Sequence, residues 1–447
     1  MTGDDMGRAL EAAVVRGDIP LASWLIDRGT NWPEHARLHR PAHKAAIKGR
    51  LDVLKWLEQE AQLDGVVGLV VKAAEHGHFD VVTWLVERDA QSGGHITDLG
   101  AEGSLAIHGA VVNGHLKVAK YLRARITTPT NGMQRARQAA EQRRQLPILS
   151  AQIGRFEQAQ AVSSKTMVLA AMRGYLDGVQ WLYTEYGSDP DVALFADDNK
   201  KYGQLSAMDE AASNDHLSVL KYLHYLQTLI DASNKKRKRD EPLMSSRPVC
   251  TKLAMDRAAG NGHLSVVQWL HHNRSEGCTV RAMNLAAERG HLEVVKWLDE
   301  HRSEGCTAAA MDRAAKNGHL GVVRWLHNYT STNCTTAAMD GAASYGYVNV
   351  AKWLHAHRSE GCTVEAMNGA ASHGAIETVK CYMPLALKAV HNKRWTKSQK
   401  EDICEWCSGF TVTALMAVQA KDLTVQRNAT NLSSLSNKDI YLLSTYS

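Results

Sequence analysis

A chain of 447 residues exceeds what one ordinary hydrophobic core holds, so several domains or a repeat array are expected. With 44% hydrophobic and 22% charged residues it is not a disordered or collagen-like chain, and its longest apolar stretches, such as GVVGLVV at 65–71, are too short to cross a bilayer. The formal net charge is +5 and five cations stand together at 235–239; without them the chain is neutral, which excludes a generally basic nucleic-acid binder.

The first residues, MTGDDMGRALEAAVVRGD, start acidic and lack a continuous apolar run, so no secretory signal is read there. An intracellular protein with reduced thiols is expected, and the eight cysteines are not read as a disulfide framework. One phrase then recurs: small residues at helical spacing, a turn, and an apolar stripe that ends near an aromatic residue and a leucine. Copies run as ALEAAVVRGDIPLASWLIDRG (9–29), AAIKGRLDVLKWLEQ (45–59), KAAEHGHFDVVTWLVER (72–88) and HGAVVNGHLKVAKYLRAR (108–125). Residues 1–125 are therefore read as amino-terminal repeats.

An Arg/Gln-rich helical insertion is expected at 126–149, followed by degenerate repeats over 150–230. Within them SAQIGRFEQAQAV (150–162) is a doubtful copy, while LAAMRGYLDGVQWLYTEYG (169–187) and DEAASNDHLSVLKYLHYL (209–226) are good ones. Residues 189–202 read as a polar loop. A basic linker at 231–249 carries SNKKRKRDEP, with Lys235, Lys236, Arg237, Lys238 and Arg239 in succession. Five cations in a polar, proline-flanked segment are expected to be solvated and extended, open to a partner. The run resembles a monopartite nuclear-import signal, which implies an import receptor as one partner and the nucleus as destination, with the cytoplasm as alternative.

From 250 to 388 the phrase becomes regular. Cysteine recurs at 250, 278, 306, 334 and 362, tryptophan at 269, 297, 325 and 353, and the turn glycine at 262, 290, 318, 346 and 374, always 28 apart. Before each glycine, residues such as Ala282, Met283, Ala286 and Ala287 have helical spacing and are small enough for close helix approach. After it, Leu292, Val295 and Leu298 form one apolar stripe of a second helix, and R-S-E-G closes the unit, with Gly305 placed for a left-handed helix end. Neither helix buries its face alone, so the units must stack. Eleven good units are counted. Residues 389–447 leave the pattern and read as a cap and tail.

AAERGHLEVVK at 286–296 resembles the ankyrin repeat closely. The resemblance implies an all-α, ankyrin-type solenoid of stacked helix-turn-helix units. Because the period is 28 rather than the family's usual 33, the β-turn fingers are expected to be shortened or absent. It also implies a non-catalytic protein-interaction scaffold whose first helices carry the partner-binding residues. Those positions vary on a constant frame: Arg257, Arg281, Leu285, Glu288, Arg289, Arg313, Lys316, Asn317, Ser344 and Tyr345.

The reactive-looking columns are read as frame. Neighbouring repeats lie roughly 8–10 Å apart, too far for disulfides between Cα atoms that must approach within about 7 Å, or for four ligands to meet on one metal ion. The cysteines and tryptophans are therefore expected to pack, and the histidines of the turns to bond backbone groups of neighbouring units. No column supplies a nucleophile, base and orienter in one cleft, and no cofactor fingerprint is present. Cys404-Glu-Trp-Cys407 lacks the second pair a zinc ribbon needs, and is read as two helical cysteines. The alternative function is a nucleic-acid-associated regulator that uses 235–239 for phosphate contacts.

Overall fold

A computed structural model describes residues 3–28, 39–61, 63, 66, 68–91, 99–126, 162–189, 192, 194–195, 206–236, 247–375 and 378. The chain divides into two compact units, 1–250 and 251–447. Described residues form 21 helices and no strand, the all-α repeat array expected, and in 251–375 short loops stand where fingers would be.

In the first unit the helices pair as α1 (Gly3–Arg16) with α2 (Ile19–Arg28), α3 (Arg40–Lys48) with α4 (Leu51–Ala61), and α5 (Leu69–Glu75) with α6 (Phe79–Gln91). Three further pairs are α7 (Leu99–Val112) with α8 (Leu116–Ile126), α9 (Ser164–Met172) with α10 (Leu176–Tyr186), and α11 (Ala207–Ser213) with α12 (Leu217–Lys236). In the second unit α13 (Lys252–Gly260) pairs with α14 (Leu264–Asn273), and α15 (Val280–Glu288) with α16 (Leu292–His301). They are followed by α17 (Ala308–Lys316) with α18 (Leu320–Tyr329), α19 (Thr336–Ser344) with α20 (Val348–His357), and α21 (Val364–Ser372). These helices correspond to the eleven good copies. The doubtful copy at 150–162, the insertion at 126–149 and the tail at 389–447 lie outside the described residues, apart from Ile126 and Val162.

Each pair is divided where its glycine stands. Gly262, Gly290, Gly318 and Gly346 have φ of 79–83°, and the residue after each accepts the first bond of the second helix through its carbonyl. In the first unit Asp215 occupies this position with φ 63°. Gly305 is also left-handed, at φ 64°, but it does not end a helix as expected. The helix stops at His301, Arg302 is extended, and Gly305 turns the loop three residues later.

First helices bury two faces, because Ala282, Met283, Ala286 and Ala287 are sealed between neighbouring first helices and their own partner. Second helices bury one stripe, Val294, Val295 and Leu298 in α16, while Leu292 is half-exposed. First helices accordingly pack closely on one another, and second helices touch less. Leu285 Cβ would lie 2.8 Å from a Cβ at Gly260, and Lys316 Cβ 2.8 Å from one at Gly341, so side-chain-free positions permit this approach.

The linker expected from 231 starts later. Helix α12 continues through Lys236, twice as long as the other second helices of known end in the regular unit, and Arg247 returns to pair with Asp231 at 2.5 Å.

Candidate functional site

Three columns build the frame on which any surface must be carried. The turn rings come first. His78 Nε2 lies 2.8 Å from the carbonyl oxygen of Ile47 and His216 Nε2 3.0 Å from that of Met172, each reaching back one repeat. In the second unit the ring of His291 faces Gly262 and that of His319 faces Gly290; Tyr347 does the same for Gly318. Burial pushes the imidazoles of His115 and His291 below their ordinary range, and neighbouring cations and imidazoles add to it. The backbone bond expected at His115, His263, His291 and His319 is seen at two further turn histidines, His78 and His216.

The second column is a polar staple that residue types alone did not disclose. Asp256 accepts from the backbone N–H and the hydroxyl of Thr279, both at 2.7 Å. Asp312 accepts the same pair from Thr335 and Asp340 from Thr363, at 2.7–2.8 Å. Each threonine is the N-cap of the next first helix, and its oxygen also accepts an N–H two residues on, as from Arg281 at 3.1 Å. Asn284 takes the acid's place against Thr307, accepting from its N–H at 3.0 Å and donating to its hydroxyl at 2.9 Å. Thr307 makes no cap bond. The hydroxyl that donates to a carboxylate keeps both lone pairs for the helix, whereas one that accepts an amide commits one of them and points its proton elsewhere. The readable signal was a threonine 23 residues after each of Asp256, Asn284, Asp312 and Asp340.

The third column holds the thiols. Cys250, Cys278 and Cys334 are buried, whereas Cys306 and Cys362 are half-exposed, and none of the five is in a disulfide. Burial pushes Cys278 up to about 11 and Cys362 up to about 12, so neither is a thiolate nucleophile at neutral pH. Over Cys278 lies Arg302, held by Glu304 at 2.5 Å, and Arg358, held by Glu360 at 2.7 Å, covers Cys334 in the same way. At the intervening loop Thr330 and Thr332 replace this pair, and Cys306 Sγ lies 3.4 Å from Thr332 Oγ1 with the Thr330 hydroxyl beside it.

The tryptophan column departs from its expected place in the core. Trp269, Trp297, Trp325 and Trp353 are all half-exposed on the outer side of the second helices. Trp297 stacks on His301 at 4.4 Å and takes the edge of His271 from the preceding repeat; Trp353 repeats this with His357 and His327. They join repeats laterally rather than filling the sealed interior.

On the first-helix side the expected binding positions are brought onto one surface. Arg257, Arg281, Arg289, Arg313, Lys316, Asn317 and Tyr345 are exposed, and Leu285, Glu288 and Ser344 half-exposed. Arg281, Leu285 and Glu288–Arg289 follow one stripe of α15 and its end. Several also bind one another: Arg313 pairs with Glu288 at 2.8 Å, Asn317 donates to the Glu288 carbonyl at 2.7 Å, and Arg289 reaches Gly260 O and Asn261 Oδ1. Lys316 sits 5.5 Å above the Tyr345 ring, which meets His373 at 4.9 Å, and Ser344 donates to Glu365 O at 3.3 Å.

Of the basic run, Lys235 is exposed and Lys236 ends α12; Arg237, Lys238 and Arg239 lie outside the described residues, as do Cys404 and Cys407. Among the described residues no group of three or more His, Cys, Asp or Glu is placed to hold a metal ion, and no helix is long and apolar enough to cross a membrane. No curated protein matches the chain. The family model for ankyrin repeats (3 copies) matches residues 42–129 and 255–336, and over both segments the chain carries ankyrin repeats.

Proposed function

We propose that the chain is a non-catalytic interaction scaffold that binds a protein partner along its first helices. One observation supports this above others: residue types able to do chemistry are engaged in holding repeats together, while the variable exposed positions gather on one side. Cys278 and Cys334 are covered, aspartates bond threonines and turn histidines face backbone, so the outward-facing arginines, lysine and tyrosine remain for recognition. Affinity capture with the intact chain, against a chain carrying Arg257→Glu, Arg289→Glu and Tyr345→Ala, tests the reading. A partner that ignores all three changes binds elsewhere.

A nuclear destination is part of the proposal, and Lys235–Arg239 is its carrier. A tagged chain with Lys236→Ala and Arg237→Ala should lose nuclear accumulation; unchanged localisation removes the signal. Nucleic-acid binding that depends on these same cations would favour the phosphate-contact alternative.

A further inference from the structure

We infer that the first-helix face of α13, α15 and α17 is a docking site for an acidic polypeptide segment with an apolar side chain between its carboxylates. This rests on the scaffold reading and names the chemistry of its partner. The surface has a defined pattern. Arg281, Leu285 and Arg289 are four residues apart on one stripe of α15, while Arg257 and Arg313 occupy the position of Leu285 in the repeats on either side. A half-exposed leucine therefore stands at the centre of four exposed arginines. Leu285 is propped outward because its Cβ rests against Gly260 of the preceding helix.

Charge is sorted here by the fold, not by composition. Residues 251–318 carry acids on first helices only at Asp256, Glu288 and Asp312. Both aspartates turn away to bond Thr279 and Thr335, and Glu288 meets only Arg313. Arg289 bonds a carbonyl and an amide oxygen, which hold the guanidinium in place without neutralising it. Lys316 adds a further cation beside Arg313. The surface is thus cationic around an apolar centre, and a carboxylate from outside completes what internal acids leave open. Helix packing of roughly 10 Å per repeat puts Arg257 and Arg313 about 20 Å apart, which an extended segment spans in about six residues. A phosphodiester backbone would meet the arginines and leave Leu285 facing water. That is why a polypeptide is the favoured occupant.

The test is binding of a fluorescent twelve-residue peptide, with glutamates six apart and leucine midway, to the full chain by anisotropy. Binding is expected to fall at least tenfold when Arg257 and Arg313 are both changed to Glu, when the peptide glutamates become Gln, or when salt is raised. Replacing the peptide leucine by serine should weaken it several-fold, as should Leu285→Ala. Arg324→Glu with Lys352→Glu, exposed on the second helices, should leave it unchanged. Circular dichroism melts identify any variant that fails to fold, and Arg281→Gln is an independent exposed variant. Absence of binding at low salt, equal loss from the second-helix pair, or tighter binding of a single-stranded oligonucleotide on the same arginines would overturn the inference. A captured native partner that survives Arg257→Glu/Arg313→Glu but not Tyr345→Ala would overturn it while leaving the scaffold reading intact.

Discussion

The two units use the same helix pair but join successive pairs differently. In 251–375 each junction is made by one repeated device, the Asp or Asn that grips the N-cap threonine of the next first helix. In 1–250, beside the bonds of His78 and His216 to the preceding repeat, the described junctions use a more varied set of side chains. Arg50 donates to Val15 O and Arg16 O, Glu102 accepts from Gly68 N–H, and Arg173 donates to Val112 O. At the junction between α7 and α9, His108 Nδ1 lies 2.6 Å from Thr166 Oγ1 and Ser104 accepts from Val162 N–H. What both units keep is the turn, a left-handed residue faced at most repeats by a ring from the following one, with Arg50 at Gly17 and Ala375 at Gly346 in its place. A constant repeat length thus follows from a constant polar junction, whereas the turn alone tolerates spacing that varies.

The shared turn should be the costliest place to disturb. An alanine Cβ at Gly290 would stand 2.5 Å from Nδ1 of His319 at φ 82°, so backbone strain and overpacking act together. Gly290→Ala is expected to lower stability by about 3–4 kcal/mol in urea unfolding. Gly305→Ala, at φ 64° with nothing within 4 Å, should cost only about 1 kcal/mol. Equal losses would mean that the ring contact contributes nothing. Gly77→Ala, which would meet His115, should match Gly290→Ala if the turn is common to both units.

Next comes acid sensitivity at a junction peculiar to the first unit. His108 is buried against Thr166, and burial, then the charge of Lys165, lowers its pKa to about 4, with Glu75 opposing. In the folded chain it stays neutral while the unfolded chain protonates near 6.5. The stabilisation is therefore complete above that pH, is lost as pH falls, and levels off below about 4. The full loss is of order 3 kcal/mol. Protection factors of the amides in 99–126, which correct for the intrinsic fall of exchange with pH, should drop across this window, and His108→Gln should flatten the dependence. A pH-independent protection factor in that segment would contradict the buried neutral imidazole.

The staple of the second unit should be somewhat cheaper to remove. Asp340→Ala leaves the N–H and hydroxyl of Thr363 without their acceptor, at a cost of about 2 kcal/mol. Burial raises the carboxyl of Asp340 above its usual range, so the charge is not itself the benefit. Asp340→Asn should then cost under about 1 kcal/mol, the share of the lost Thr363 cap, as the Asn284–Thr307 pair already shows in native form. If Asn were as damaging as Ala, ion–dipole attraction rather than hydrogen-bond geometry would hold the junction.

Helix pairs, their number and the dividing glycine were legible because they depend on spacing within one unit, where period and small residues act over a few positions. Contacts between units were less so. Trp297 lies next to Leu298 but about 100° around the helix, and a flat indole one step from the buried stripe spreads over the neighbouring repeat instead of entering it. The pairing of Asp256 with Thr279 crosses 23 residues and depends on how first helices stack. For the candidate surface, sequence placed Arg257, Leu285 and Arg313 in one register. That Asp256 and Asp312 turn away from them, so that charge accumulates, became visible only with the staple.

The smallest effect separates one loop of the regular unit from its sisters. Where Arg302 and Glu304 cover Cys278 and Arg358 and Glu360 cover Cys334, Thr330 and Thr332 leave Cys306 half-exposed. A packing role for the whole cysteine column would make all the thiols equally slow; the loop sets Cys306 apart from Cys278 and Cys334. Native-state labelling should modify Cys306 several-fold faster than Cys278 or Cys334. The advantage is held to that scale because burial, only partly offset by Thr332 and Thr330, raises its pKa and keeps thiolate scarce. Raising pH from 7 to 8 should speed Cys306 nearly tenfold, as a thiol titrating well above that range requires. Converting the loop with Thr330→Arg and Thr332→Glu would restore the Arg–Ser–Glu sequence, lay a guanidinium over Cys306, and bring its rate down to that of Cys278. If the converted loop left the rate unchanged, backbone opening rather than side-chain cover would govern thiol access, and the contrast between the loops would have to be sought in the helices that flank them.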